Sequence, residues 1–271
     1  MAAQPELKLI AEGREAEIFA WENGTVLRLL RNPEATQQVE WEAHAMQAAA
    51  ATGVSVPAVH GTTTVRGRPG LIMERIDGID MLTLIGRKPW RIFDVARVFG
   101  ELQAQLHETV APDEILPLNA TLKRRIESSG MVPKHVAEFA LAELEQLPQG
   151  DRLCHGDFHP ANIMWAGEKP VVIDWTNVMR GDPTADYARS DLMIRLGDLP
   201  PGSSLPLRLL TLVGRAALRW SYRRAYRKAR PVDERLVARW EIPVAANRLV
   251  DGIEPERPKL LRILEARLKS G

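Results

Sequence analysis

Cys154 is the one cysteine in 271 residues, so no disulfide can form within the chain. Stability must come from a packed core, which a chain of this length can bury, and a lone thiol suits a reducing cytoplasm. An excess of charge of either sign is missing too: 36 Lys and Arg face 35 Asp and Glu, a formal +1. No global field therefore argues for nucleic acid or an anionic membrane as partner. There is no uncharged apolar run of membrane-spanning length, and Met1 to Glu6 lacks the basic stretch and apolar core of a secretory leader. Internal repeats and low-complexity tracts are absent as well. The expectation is a cytoplasmic protein, monomer or homodimer, with one or two lobes.

What is present changes character along the chain. Leu7 to Arg31 reads as a meander of short strands, with Ala16 to Trp21 and Thr25 to Leu30 separated by the turn signal Glu22-Asn23-Gly24. From Pro33 to Thr52 the apolar residues Val39, Ala43, Met46 and Ala50 fall at helical spacing, closed by Gly53. Val56 to Gly61, and Thr62 to Val65 with Gly70 to Met73 about the turn 66–69, read as further strands. Beyond Gly78 the pattern is mainly helical, in Trp90 to Thr109, Pro133 to Leu147, Leu205 to Ala229 and Asp233 onward. One hairpin interrupts it, Asn162 to Trp165 with Pro170 to Asp174, and Pro200 to Ser204 is a candidate loop. The predicted fold is α+β and two-lobed, with a small antiparallel sheet and one helix in residues 1–73, a connecting segment at 74–79, which the resemblance described below makes the hinge, and a larger helical lobe at 80–271.

Chemistry concentrates in Cys154-His155-Gly156-Asp157-Phe158-His159-Pro160-Ala161-Asn162 and in Ile173-Asp174-Trp175. Phosphoryl transfer needs a carboxylate to orient the attacking hydroxyl and oxygen ligands to hold Mg²⁺ against phosphates. Asp157, Asn162 and Asp174 supply that set. Asp157 and Asn162 lie on one tight loop, where Pro160 keeps His159 extended, and the hairpin can return Asp174 to the same rim.

The His-x-Asp-x-x-x-x-Asn loop at His155 to Asn162, with the Ile-Asp-Trp at 173 to 175, resembles the aminoglycoside phosphotransferase family, whose relatives include choline, homoserine, methylthioribose and fructosamine kinases. The resemblance implies a protein-kinase-like fold and transfer of the γ-phosphate of ATP (or GTP) to a hydroxyl of a small molecule. It makes Asp157 the catalytic base, Asn162 and Asp174 the Mg²⁺ ligands, and His155 a brace for the loop. Gly181 to Tyr187 is similar to the family's next segment, where Asp186 would steady the catalytic loop. Glu12 to Phe19 resembles the phosphate-covering turn, with Gly13 as its one glycine. Arg28 occupies the place of the family's nucleotide-binding lysine; Glu42 is its expected partner, with Glu40 in competition, and Lys8 is a further candidate for the phosphates. The backbone of Glu74 and Ile76 would meet adenine at the hinge.

Other readings compete. His155, His159 and Asp157 could belong to a zinc cluster, although His44, His60, His107 and His135 stand singly. Arg28 and the glycine-poor turn also fit a nucleotide-binding scaffold without activity. A protein kinase is disfavoured by the absence of Asp-Phe-Gly and Ala-Pro-Glu. The acceptor is open between an antibiotic and a neutral or anionic metabolite. Residues 195–271 hold 17 Lys and Arg against 8 Asp and Glu, which disfavours a polycationic acceptor unless Asp191, Asp198, Glu241, Asp251 or Glu254 form an acidic patch. Arg215, Arg219, Arg223 and Arg227 read as a solvated helix face. Trp220, Tyr222, Tyr226 and Trp240 are either core or pocket lining.

Overall fold

A computed structural model describes residues 7–13, 15–167, 169–197 and 204–270; Asp198 and residues 200–203 of the candidate loop lie outside the described residues. The amino-terminal part is a five-stranded antiparallel sheet, formed by β1 (Leu9–Glu12), β2 (Ala16–Ala20), β3 (Thr25–Leu30), β4 (Val59–Val65) and β5 (Arg68–Glu74). Their order is β1-β2-β3-β5-β4. The helix α1 (Thr36–Ala51) packs on β4 and β5 with Val39, Ala43 and Met46 buried as their spacing predicts, but the fourth position is Ala49, one residue before the expected Ala50, which is exposed. One charged side chain, Glu42, is buried with them.

The turn between β4 and β5 is shorter than the sequence suggests. Arg66 and Gly67 both take positive φ, 52° and 74°, as a primed two-residue hairpin turn requires, so β5 resumes at Arg68. Pro69 is tolerated there because the ladder with β3 ends at Leu29↔Gly70 and asks no N–H of it.

Helices dominate the rest of the chain. β6 (Ile79–Asp80) leads into α2 (Met81–Arg87), capped by Asp80, whose carboxylate accepts from the Thr83 N–H at 2.8 Å. There follow α3 (Ile92–Leu106), α4 (Leu118–Ser128), α5 (Lys134–Leu144) and the strand β7 (Arg152–Cys154). The hairpin β8 (Ile163–Ala166) and β9 (Lys169–Val172) extends β6 into a three-stranded sheet, and β10 (Met179–Gly181) pairs with β7. The chain then runs through α6 (Pro183–Leu196), α7 (Leu205–Ala229), α8 (Glu234–Val250) and α9 (Arg257–Ser270). No helix among the described residues is long and apolar enough to cross a membrane.

The helix α6 escapes periodicity reading for a physical reason. Its residues from Ala185 to Leu192 are buried on every side, Asp186, Arg189 and Asp191 included, so it has no polar face to set a period. Around it Tyr222, Tyr226 and Trp240 are fully buried core, while Trp220 is exposed. The helix pair α3 and α7 crosses at Gly100, where an added Cβ would stand 2.6 Å from the Tyr222 carbonyl oxygen and 2.9 Å from the Tyr226 nitrogen. Gly100→Ala would ordinarily help a helix by about 1 kcal/mol. Here it is expected to cost roughly 1–3 kcal/mol by forcing the helices apart, read as a lower urea midpoint of unfolding.

Candidate active site

The loop between β7 and β8 is fixed from beneath by one carboxylate. Asp186, on the first turn of α6, accepts from the Gly156 N–H at 2.8 Å through Oδ1 and from the His155 N–H at 3.2 Å through Oδ2. His107 Nε2 stands 3.1 Å from the same Oδ2, and Gln103 Nε2 donates to it at 3.2 Å. Burial opposes ionisation of Asp186, but the bond with His107 and the backbone N–H of Gly156 outweigh it and hold the carboxyl below its ordinary range. His107 is itself braced by Tyr226, Oη to Nδ1 at 2.6 Å. Gly156 takes φ 76° with an added Cβ falling 2.0 Å from the Asn177 oxygen, so only glycine lets the two segments pass.

His155 is wholly buried and keeps both ring nitrogens occupied. Nδ1 accepts from the Asp157 N–H at 3.3 Å, and Nε2 stands 3.1 Å from the Ile173 carbonyl oxygen. With burial lowering its pKa, the neutral ring links the loop to the strand that ends before Asp174. Its nitrogens are thus spent, which removes it as a zinc ligand, and among the described residues no group of three His, Cys, Asp or Glu is gathered for a metal.

Of the three predicted residues, Asp157 and Asp174 line the cleft and Asn162 is buried behind them. Asn162 Nδ2 donates to the Asp157 carbonyl at 3.0 Å and lies 3.4 Å from its Oδ2, and the Asn162 carbonyl accepts from Ile173 N–H at 2.9 Å, so Asp174 follows directly beside Asn162. Asp174 is a non-glycine residue at φ 62°, its side chain half-exposed in the cleft and its Oδ1 bonded by the Thr176 hydroxyl at 2.6 Å. His159 is extended before Pro160; its Nδ1 accepts from the Ala161 N–H, which leaves Nε2 facing Asp157 Oδ2 at 3.4 Å. Burial pushes the Asp157 carboxyl up, yet the His159 contact and the Arg189 guanidinium prevail and hold it well below the usual carboxylate range.

Across the cleft, Arg28 and Glu42 form a buried pair. Arg28 Nη1 donates to both Glu42 oxygens, at 3.1 and 2.8 Å, while Nη2 bonds Thr176 and lies 3.7 Å from Asp174. Glu40 is exposed, so Glu42 is the partner. Lys8 is exposed and does not line the cleft, whereas Gly13, Glu74 and Ile76 do. The Gly13 N–H is committed to Ala16 O at 2.8 Å, which makes it a turn residue first. The cleft itself has a volume of about 720 Å³.

Three arginines that the sequence did not single out, Arg125 of α4, Arg189 of α6 and Arg248 of α8, complete the wall beyond Asp157 together with Asp251, one of the acids named above for an acidic patch. Arg189 Nη2 lies 3.1 Å from Asp251 and 3.6 Å from Asp157; Arg248 Nη1 lies 3.3 and 3.9 Å from the same pair. The basic stripe on α7 is not a solvated face throughout: Arg219 grips the buried Asp191 with two bonds at 2.7 and 2.8 Å, and Arg223 joins it at 3.2 Å, so the stripe ties α7 to α6.

Solved structures share this architecture. A thermostable mutant of aminoglycoside phosphotransferase APH(4)-Ia, in ternary complex with AMP-PNP and hygromycin B, superposes with a TM-score of 0.66 at 18% identity, over 98% of this chain and 94% of that one. An aminoglycoside-3'-phosphotransferase of type VIII gives 0.59 at 20% identity, covering 89% and 93%. The amicoumacin kinase hAmiN, in complex with AMP-PNP, Ca²⁺ and Ami, gives 0.66 at 12% identity, covering 97% and 88%. At such identities the likeness is one of fold. No curated protein matches the sequence. The sequence pattern described as the phosphotransferase enzyme family matches residues 6–201.

Glu42 provides a test in solution. Its burial lifts the carboxyl from 4.5 to about 7 against the pull of Arg28, with Asp174 adding to the rise. The folded protein thus keeps a proton that the unfolded chain has lost, and this group's contribution makes stability fall as pH rises from about 4.5 to about 7. His155 acts oppositely over part of that range, so the difference between proteins is the readout. Urea midpoints from about pH 5 to pH 8 should decline less with rising pH in Glu42→Gln than in the unaltered chain.

Proposed function

The chain belongs to the phosphotransferase enzyme family, and on that premise we propose that it transfers the γ-phosphate of ATP (or GTP) to a hydroxyl of a small molecule in the cleft between residues 1–73 and 80–271, with 74–79 as the hinge. The observation that carries this reading is that Asp157 and Asp174 line one cleft with Arg28, which Glu42 holds from behind, while the buried Asn162 is bonded to Asp157 and, through its carbonyl, to the residue before Asp174.

Each residue then has a role its surroundings support. Glu42 fixes the Arg28 fork so that the guanidinium is presented to the α- and β-phosphates without free rotation, the part a lysine plays elsewhere in the fold. Glu74 and Ile76 line the cleft where a base would meet backbone. Asn162 and the half-exposed Asp174 form an oxygen donor set that suits a hard cation completed by phosphate and water. Mg²⁺ held by them would neutralise charge on the phosphates.

Asp157 accepts the hydrogen bond of the acceptor hydroxyl and aligns its oxygen for in-line attack. The oxygen bonds to the γ-phosphorus, the bond to the β,γ-bridging oxygen breaks, the nucleoside diphosphate leaves and the hydroxyl proton passes to Asp157. A carboxylate held so acidic is a weak base, so its main service is orientation. Asp157→Ala should lower turnover by at least about a thousandfold while leaving nucleotide affinity nearly unchanged, and Asp174→Ala should lose the Mg²⁺-dependent reaction. Nucleotide titration beside a coupled assay of diphosphate formation checks both. Full activity in Asp157→Ala refutes the assignment, and binding without consumption across hydroxyl compounds identifies a scaffold.

A further inference from the structure

Among the described residues, the wall beyond Asp157 has no unpaired carboxylate to offer a cation. Asp251, the acid that lines it beside Asp157, is gripped by three guanidiniums: Arg125 Nη2 at 2.5 Å, Arg189 Nη2 at 3.1 Å and Arg248 Nη1 at 3.3 Å. Those arginines hold its carboxyl below the ordinary range although burial acts the other way. Three other acids of the helical lobe named for an acidic patch are also engaged or elsewhere. Asp191 is bound by Arg219 and Arg223, Glu241 by Arg195 and Arg267, and Glu254 does not line the cleft. A polycation brought here would meet three arginines and no free negative charge but that of Asp157 itself.

The arginines, in contrast, are not all satisfied. Arg189 lines the cleft with its side chain 8% exposed, and its Nε and Nη1 have no hydrogen-bond partner among the described residues. Buried guanidinium donors without acceptors are costly, and they are found where a ligand's oxygens complete them. Arg248 is held by Glu256 behind it, through Nε at 2.7 Å and Nη2 at 2.9 Å, and turns Nη1 toward the cleft, where it bonds Asp251 and lies 3.9 Å from Asp157. Val250 and Ile253 flank the group with apolar surface.

Resting on the phosphotransfer reading above, we propose that the acceptor carries an anionic group, a carboxylate or a phosphate, bound by Arg189 with Arg125 and Arg248, next to the hydroxyl that Asp157 orients. The planar forks suit either anion. The distance from Arg189 to Asp157 places the anionic group within a few bonds of the reacting hydroxyl, as in a hydroxy acid or a sugar phosphate.

Two measurements test this. The first fills the nucleotide site with AMP-PNP and Mg²⁺, so that the γ-position is taken, and then adds inorganic phosphate. Phosphate should raise the thermal unfolding midpoint of the protein and should do so much less in Arg189→Met and in Arg125→Gln, the latter chosen because its more exposed side chain can be removed without emptying the core. No stabilisation by phosphate overturns the inference. The second follows nucleoside diphosphate formation with glycerol, glycerate, glycerol 3-phosphate and kanamycin. Anionic acceptors should be used with a kcat/KM at least about tenfold above glycerol, and the arginine variants should raise the anionic acceptor's KM about tenfold or more with the KM for ATP nearly unchanged. The preference between glycerate and glycerol 3-phosphate decides carboxylate against phosphate. Preference for glycerol or kanamycin overturns the anionic site and leaves the phosphotransfer reading standing. A fall in kcat with unchanged acceptor KM overturns it too, because the arginines would then serve the transferred phosphoryl group. Transfer to none of the four, with ATP bound, counts against the phosphotransfer reading, while the phosphate titration still decides the anion site.

Discussion

A carboxylate shut away from water organises the candidate site. Asp186 accepts from the backbone N–H groups of His155 and Gly156 and from Gln103, and is braced by His107 and, through it, Tyr226. It thereby couples a surface loop to α3, α6 and α7. Ionised, it converts two otherwise unpaired loop N–H groups into charge-assisted bonds, and the loop backbone has one conformation in which both are met. Everything downstream, from the tautomer of His155 to the position of Asp157, inherits its precision from that anchor. A site on a loop needs such support if it is to hold reacting groups to a fraction of an ångström.

The opposite wall uses a different device. Arg28 replaces a flexible ammonium with a planar fork, and the fold answers by giving the fork partners on two edges: Glu42 at Nη1, Thr176 and Asp174 at Nη2. The cation is therefore locked both to α1 and to the segment that carries Asp174. Movement of the sheet relative to the helical lobe would have to break contacts at Thr176, so the arginine ties the sheet and α1 to the segment carrying Asp174 in a way a lysine with a single partner does not.

How much of this was legible in the sequence follows from where the interactions lie along the chain. Asp157, Asn162 and Asp174 could be read because a loop and one hairpin bring them together locally, and the two-lobed α+β fold followed from the change from alternating to helical periodicity near Gly78. The pairing of the arginine on β3 with a glutamate on α1 came from the family resemblance and left Glu40 and Glu42 in competition; the structure decides for Glu42, the one charged residue on the buried face of that helix. The rest was not local. Arg125, Arg189, Arg248 and Asp251 come from three helices and a turn spread over half the chain, and α6 conceals its charged residues inside a helix with no exposed face. His107 looked solitary because its partner stands 79 residues away. The arginines of α7 looked like a solvated stripe for the same reason, since the acid that holds them belongs to α6.

Those hidden charges alter the character of Asp157. A carboxylate flanked by His159, Arg189 and Arg248 at 3.4, 3.6 and 3.9 Å is stabilised as an anion and pulls weakly on a proton. Phosphoryl transfer through a loose transition state asks little of a base before the phosphorus–oxygen bond has formed, so weak basicity is compatible with the role provided that alignment is strong. The two guanidiniums, with that of Arg125 beside them, make the wall attractive to negative groups. Acidity of Asp157 and the proposed affinity for an anionic acceptor would then be two consequences of one arrangement, because Arg189, which helps to quiet Asp157, is also the guanidinium with donors to spare among the described residues.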